Sequence, residues 1–132
     1  MPEVAESAPR PIVLVVEDDL LQRIYASSIL EDAGFEVVEA ANANEAILIL
    51  EARKDIRVVF TDIEMPGSID GLKLARAIRD RWPPIELILT SGRHRLGADA
   101  IPARGRFLAK PYEPDVLIAV ISAFAAGDRR QL

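Results

Sequence analysis

Side chains able to do acid, hydroxyl or amine chemistry follow four of the five short apolar stretches in this sequence. Carboxylates come after the first and third stretches, at Glu17-Asp18 and at Asp62, with Glu64 two residues further on. The hydroxyl pair Thr90-Ser91 follows the fourth stretch, and Lys110 follows the fifth. Any one of these residues alone is more typical of a turn or a helix cap. Their occurrence in order at four stretch ends favours one shared chemical site.

The residue types predict phosphoryl transfer beside a hard cation. Acids gathered at one place repel one another, and a cation offsets that repulsion. The 132 residues include no cysteine and a single histidine, His94, so the ligands would be oxygens, which favour Mg²⁺ or a similar ion. A lysine ammonium can pair with Asp62 at rest and with a phosphoryl oxygen afterwards, and the Thr90 hydroxyl can donate to the same oxygen. A carboxylate can itself be the nucleophile and become an aspartyl phosphate.

Alternating strands and helices must bring these side chains together. Apolar, β-branched runs alternate with stretches of helical spacing, which is typical of βα units and a parallel sheet. The predicted strands are Ile12–Val16, Phe35–Glu39, Arg57–Thr61, Ile85–Thr90 and Phe107–Ala109. Four helices are predicted: one after Asp19, one from Asn42 or Asn44, one from Gly71 to Trp82, and one from Glu113 or Pro114. A short or irregular further helix is predicted between Ser91 and Arg106. Ligands of such sheets bind beyond the carboxyl ends of the strands, so the four groups should converge at one edge.

Composition argues against several other classes of protein. The net charge is −5, from 21 acidic and 16 basic residues, which disfavours direct nucleic-acid binding. No apolar run approaches the roughly 20 residues of a membrane helix, so membrane insertion is not expected. The first ten residues lack the pattern of a signal peptide, and the lack of cysteine fits a cytoplasmic protein.

The same residues carry a resemblance to the receiver domain of two-component response regulators. It rests on the runs Val15–Asp19 and Thr61–Gly67, on Asp70-Gly71, and on the pairs Thr90-Ser91 and Lys110-Pro111. The resemblance implies an α/β fold, a doubly wound, flavodoxin-like (βα)5 three-layer sandwich around a five-stranded parallel sheet. It covers residues 11–126 and leaves a flexible N-terminal segment (1–10) and a C-terminal tail (127–132).

The resemblance also implies which residues take the phosphoryl group and hold the metal. Asp62 matches the phosphoacceptor. Glu17 and Asp18 match the acidic pair that holds Mg²⁺ together with Asp62, and Glu64 matches the position whose backbone carbonyl completes the metal site. The phosphodonor would be a histidine kinase or a histidine phosphotransfer protein.

A switch on the neighbouring strands follows from the same resemblance. Thr90 matches the switch hydroxyl, Lys110 the lysine that contacts the phosphoryl group, and Phe107 the switch aromatic. The Lys110–Pro111 peptide bond is expected to be cis. The domain would then be a stand-alone phosphoacceptor, rather than an enzyme, that changes its surface for a downstream protein, and a phosphorylation-driven homodimer is an open alternative.

Two other functions compete with this interpretation. A degenerate receiver would act only as a protein-binding module, and a Mg²⁺-dependent phosphatase would use an aspartate nucleophile for turnover. The phosphatase family places a second aspartate two residues after the nucleophile, where this chain has Glu64. Against the receiver pattern, the loop from Asp62 to Gly71 is one residue longer and the segment from Thr90 to Lys110 is about two residues shorter. These departures are expected to affect kinase recognition and the output surface.

Overall fold

Five strands and four helices make up the part of the chain that the computed structural model describes, which is residues 11–65, 70–92 and 100–130. The strands are β1 (Ile12–Val16), β2 (Glu36–Ala40), β3 (Ile56–Asp62), β4 (Glu86–Ser91) and β5 (Gly105–Ala109). The helices are α1 (Leu20–Asp32), α2 (Ala43–Ala52), α3 (Gly71–Arg81) and α4 (Pro114–Arg130). None of these helices is long and apolar enough to cross a membrane.

All five strands run parallel in one sheet with the order β2-β1-β3-β4-β5. The register pairs Val16 with Thr61 and Asp62 with Thr90, so the carboxyl ends of the central strands are level. This confirms the predicted five-stranded parallel α/β sheet. It also places the strand ends that carry the candidate chemistry along one edge, since parallel strands all end on the same side.

The core has two halves, one on each face of the sheet. Side chains alternate across a strand, so Leu14 and Val16 pack on one face and Val13 and Val15 on the other. The first half contains the buried residues of α2 and α3, and the second contains those of α1 and α4. The sheet is therefore covered by helices on both faces, as the doubly wound prediction requires.

Three helices begin at side chains that cap their first free backbone N–H groups. Asp19 accepts from the Gln22 N–H at 3.0 Å, and Asp70 accepts from the Lys73 N–H at 2.9 Å. Of the two candidates for the start of α2, Asn42 is the cap, and it accepts from the Glu45 N–H at 2.8 Å. The caps at Asp19 and Asp70 fix where α1 and α3 leave the edge that carries the candidate site.

Some boundaries differ from the sequence-based expectation. Helix α4 continues to Arg130, whereas a tail was expected from Gly127. A glycine inside a helix costs only about 1 kcal/mol, and the alanine-rich stretch before it favours the helix. Strand β5 begins at Gly105, two residues before the predicted Phe107, because its backbone pairs with β4. The N-terminal segment (1–10) lies outside the described residues, as do Gly67-Ser68, where the sequence places the extra loop residue, and residues 93–99 of the segment in which the irregular helix was predicted.

Candidate functional site

Three carboxylates converge at the carboxyl ends of β1 and β3. One oxygen each from Glu17, Asp18 and Asp62 lies within 4.8 Å of the others. Glu17 is only 6% exposed and Asp62 only 4% exposed, whereas Asp18 faces solvent. The strands bring these acids together because Glu17 directly follows β1 and Asp62 is the last residue of β3, and the two strands are neighbours in the sheet.

Lys110 is the cation of this cluster. It follows β5, where its backbone N–H donates to the Ser91 carbonyl at 3.0 Å, and its peptide bond to Pro111 is cis. Its side chain crosses the sheet edge, and Nζ donates to Asp62 Oδ2 at 2.7 Å and to Glu17 Oε1 at 3.2 Å. Burial lowers the pKa of Lys110, but the hydrogen bond and the charge of Asp62 outweigh burial and raise it above the ordinary value. Lys110 is therefore charged at neutral pH.

One ammonium group does not balance these acids. Burial, and after it the charge of Asp62, raise the pKa of Glu17 to about 7, although the Asp19 N–H and Lys110 act in the opposite direction. The contribution from Asp62 comes from repulsion between the two buried carboxylates, which persists beside Lys110. A second cation would remove this repulsion, and the donor set of oxygens alone suits a hard divalent ion. The residues therefore fit Mg²⁺, and they would hold it through Glu17, Asp18 and Asp62.

Both oxygens of the Asp62 carboxylate are held in place. The Glu64 backbone N–H donates to Oδ1 at 2.9 Å, and Lys110 holds Oδ2. The Glu64 side chain points to a different partner, since its carboxylate accepts from the Ser91 hydroxyl at 2.6 Å. The Asp62 carboxylate is thus oriented by groups from two loops, and Glu64 links the loop after β3 to the end of β4. Metal binding by the Glu64 carbonyl stays a prediction.

The predicted switch residues Thr90 and Phe107 lie on β4 and β5, and β4 is the strand next to β3, which carries Asp62. Thr90 pairs with Asp62 across β3 and β4 and is buried. Its hydroxyl donates to the Leu108 carbonyl at 2.6 Å, so in this structure it is bonded to β5. Phe107 is partly buried against the core half that contains α2 and α3. Strand β5 therefore carries both the acceptor of the Thr90 hydroxyl and the aromatic side chain one residue before it.

A comparison with known families decides what kind of domain this is. The family described as the response regulator receiver domain matches residues 13–122, which is most of the chain. The chain belongs to the receiver domain family. This match confirms the resemblance that the sequence motifs indicated. The buried aspartate at the end of β3, beside two acids and a lysine, is therefore part of a receiver domain.

Two curated relatives that match this receiver domain are longer than this chain. It is 34% identical over 113 residues to a putative response regulator NtrX-like protein of Rickettsia bellii, which aligns over 83% of this chain and 23% of the relative. It is also 34% identical over 113 residues to the aerobic respiration control protein ArcA of Escherichia coli, over 79% of this chain and 44% of the relative. The chain therefore spans less than half the length of these two relatives.

Solved receiver structures share the fold. A response regulator receiver domain from Clostridium thermocellum superimposes with a TM-score of 0.84 at 25% identity, covering 92% of this chain and 99% of the other. A response regulator receiver protein from Pseudomonas putida superimposes with a TM-score of 0.79 at 32% identity, covering 89% and 99%. The receiver fold thus extends over nearly the whole chain.

Two residues that shape the receiver site were missed by sequence reasoning. The Gln22 side-chain carbonyl accepts a third hydrogen bond from Lys110 Nζ, and a Cβ added to Gly71 would lie 1.8 Å from the Asp62 carbonyl oxygen. A signal for Gln22 was present, because a helix that begins after Asp19 places residue 22 in its first turn, close to the carboxyl end of β1. Gly71 belonged to a recognised motif, but its contact partner is set by the packing of α3.

Proposed function

We propose that this receiver domain accepts a phosphoryl group on Asp62, in a Mg²⁺-dependent reaction, from a phosphohistidine of a histidine kinase or phosphotransfer protein. The observation that carries the proposal is the Asp62 carboxylate itself. It is buried, held at both oxygens, only 2.7 Å from the Lys110 ammonium, and within 4.8 Å of two other carboxylates. A nucleophilic carboxylate with a cation beside it is the arrangement that aspartyl phosphate formation needs.

Each residue of the site has a part in this transfer. An oxygen of Asp62 forms a bond to phosphorus while the phosphorus–nitrogen bond of the donor breaks, and the electron pair of that bond stays on the imidazole nitrogen. Lys110 then donates to a phosphoryl oxygen in place of the carboxylate. Mg²⁺ bound by Glu17, Asp18, Asp62 and the Glu64 carbonyl would neutralise charge on the transferring oxygens.

The proposed switch begins with the charge that phosphorylation adds. The phosphoryl group brings strong acceptor oxygens and about one additional negative charge. The Thr90 hydroxyl leaves the Leu108 carbonyl and donates to a phosphoryl oxygen. Phe107 fills the space that Thr90 vacates, which changes the surface near β5 and provides a signal for a downstream protein. In this proposal the domain is a phosphoacceptor that helps its own modification rather than an enzyme that turns over a substrate.

Phosphorylation by a small donor tests the proposal directly. Incubated with Mg²⁺ and acetyl phosphate, the protein is expected to gain one phosphoryl group, detected as an increase in intact mass. The modification should be stable in acid and labile in alkali, because acyl phosphates hydrolyse readily in base. Excess EDTA should prevent it, because the three carboxylates need a cation. No mass increase and no Mg²⁺ binding by calorimetry would indicate a degenerate receiver, and repeated turnover of phosphate esters would indicate a phosphatase.

The proposed donor must dock beside Asp62, and α1 offers an apolar surface there. The first two turns of α1 leave four large side chains exposed, namely Leu20, Leu21, Ile24 and Tyr25. They adjoin a groove of about 500 Å³ that reaches Lys110 and is lined by Gln22, Tyr25, Gly92, Lys110, Pro111 and Tyr112. An exposed apolar patch of this kind is typical of a protein-binding surface. We propose that a helix of the phosphohistidine protein lies on it.

Leu21→Asp separates docking from chemistry. Leu21 is 76% exposed, so an aspartate there should leave the fold intact but place a charge in the interface. We expect phosphotransfer from the cognate phosphohistidine protein to slow by roughly tenfold or more, as for the loss of an interface anchor. Labelling by acetyl phosphate should stay within about twofold of wild type, because that donor needs no docking surface.

Leu48→Asp is the matched control for this prediction. Leu48 is also exposed, at 65%, but it lies on α2 on the opposite face of the sheet. Both labelling rates should be unaffected by it. Equal slowing of phosphotransfer by the two variants would show that the α1 surface is not the docking site.

A further inference from the structure

Gln22 binds one of the three hydrogens of the Lys110 ammonium. Lys110 Nζ donates to Gln22 Oε1, to Asp62 Oδ2 at 2.7 Å and to Glu17 Oε1 at 3.2 Å. An ammonium group donates three hydrogen bonds and accepts none, so these three oxygens saturate it. Gln22 is the one neutral acceptor among them, since the other two belong to carboxylates.

The start of α1 fixes where the Gln22 side chain begins. Its backbone N–H donates to the capping carboxylate of Asp19 at 3.0 Å. The next residue, Arg23, donates through Nη1 to the backbone carbonyl of Glu17 at 2.8 Å. The first turn of α1 is therefore attached at two points to the segment that leaves β1. Gln22 thus reaches Lys110 from an anchored turn rather than from a free loop.

We propose that Gln22 is a positioning residue for phosphoryl transfer onto Asp62, an inference that rests on the function proposed above. It acts through Lys110. By accepting one hydrogen it keeps the other two directed at Glu17 and Asp62, so the ammonium already stands where phosphoryl charge develops. Charge that is placed before the reaction stabilises the transition state without a cost of reorganisation.

A pair of substitutions separates the acceptor oxygen from the bulk of the side chain. Gln22→Met keeps an unbranched side chain of similar length and a good helix former but removes the acceptor. Gln22→Glu restores an acceptor at the same position. The rate of labelling by acetyl phosphate at saturating Mg²⁺ is measured, because this donor does not use the α1 surface. We expect Gln22→Met to be roughly threefold to tenfold slower than wild type, and Gln22→Glu to stay within about twofold.

Ser28→Met controls for a methionine on α1 as such. Ser28 is exposed and six residues further along the helix, so its labelling rate should equal that of wild type. Normal labelling of wild type together with an unchanged or faster rate in Gln22→Met would overturn the Gln22 proposal alone. Failure of wild type itself to take the label would overturn the proposed function and this inference with it.

The nitrogen resonance of the Lys110 side chain tests the contact without any phosphorylation. A fully bonded ammonium exchanges its hydrogens with water slowly enough to give a ¹⁵N–¹H signal at low temperature. We expect this signal in wild type and in Gln22→Glu, and we expect it to broaden in Gln22→Met because one hydrogen then faces water. A merely structural role of Gln22 would leave the signal in place. An unchanged Lys110 signal in Gln22→Met would contradict the inference.

Discussion

Asp62→Asn is expected to reduce phosphoryl labelling of this domain by at least roughly a hundredfold, because an amide replaces the nucleophilic carboxylate. The asparagine has nearly the same shape, and its Oδ1 can still accept the Glu64 N–H that Asp62 accepts at 2.9 Å. The chemistry is therefore removed while the geometry is kept. Labelling with acetyl phosphate and Mg²⁺, followed by intact mass and by mapping of the modified peptide after peptic digestion at acid pH, measures the loss.

Asp55→Asn is the matched control for this prediction. Asp55 is exposed and pairs with Arg53 at 2.8 Å, at the amino end of β3 and thus at the opposite edge of the sheet from the site. Its labelling should equal that of wild type. A label that persists in Asp62→Asn, or that maps to another peptide, would remove Asp62 from the role of phosphoacceptor. Circular dichroism of both variants checks that the fold is retained.

Gly71→Ala is expected to destabilise the domain by about 1–3 kcal/mol, which is the usual cost of overpacking a tight contact. The added Cβ would lie 1.8 Å from the Asp62 carbonyl oxygen and 2.7 Å from the Ile63 Cα, and both of these are backbone atoms. Helix α3 cannot move away freely, because Leu74 and Ile78 hold it in the core. The clash must therefore displace either α3 or the backbone that carries the phosphoacceptor.

Urea unfolding of wild type, Gly71→Ala and Gly92→Ala measures this effect. Gly92 is the control, because a Cβ there would come no closer than 3.8 Å to Lys110, an ordinary contact. Its unfolding free energy should change by less than about 0.5 kcal/mol. We also expect Gly71→Ala to label more slowly, since displacement of Asp62 disturbs its alignment with Lys110. A Gly71→Ala protein as stable as Gly92→Ala would show that the contact relaxes at little cost.

The sequence alone predicted the elements whose signals are local. Strand β1 was predicted with its observed ends because its apolar run stops at the charged residue Glu17. The caps Asp19 and Asp70 were recognisable because a capping side chain bonds to a backbone only three residues away. The sequence also predicted that Glu17 and Asp62 would meet, since both follow strands of a parallel sheet. These features depend on residue type and position along the chain.

Features that depend on a distant neighbour were decided only by the tertiary structure. The start of β5 at Gly105 is set by pairing with β4, and nothing apolar marks it in the sequence. The bond from Thr90 to the Leu108 carbonyl, the approach of Gln22 to Lys110 and the contact of Gly71 with the Asp62 backbone each join residues from different elements. A sequence states which groups are available, but only packing sets the ångström-scale distances on which these bonds and contacts depend.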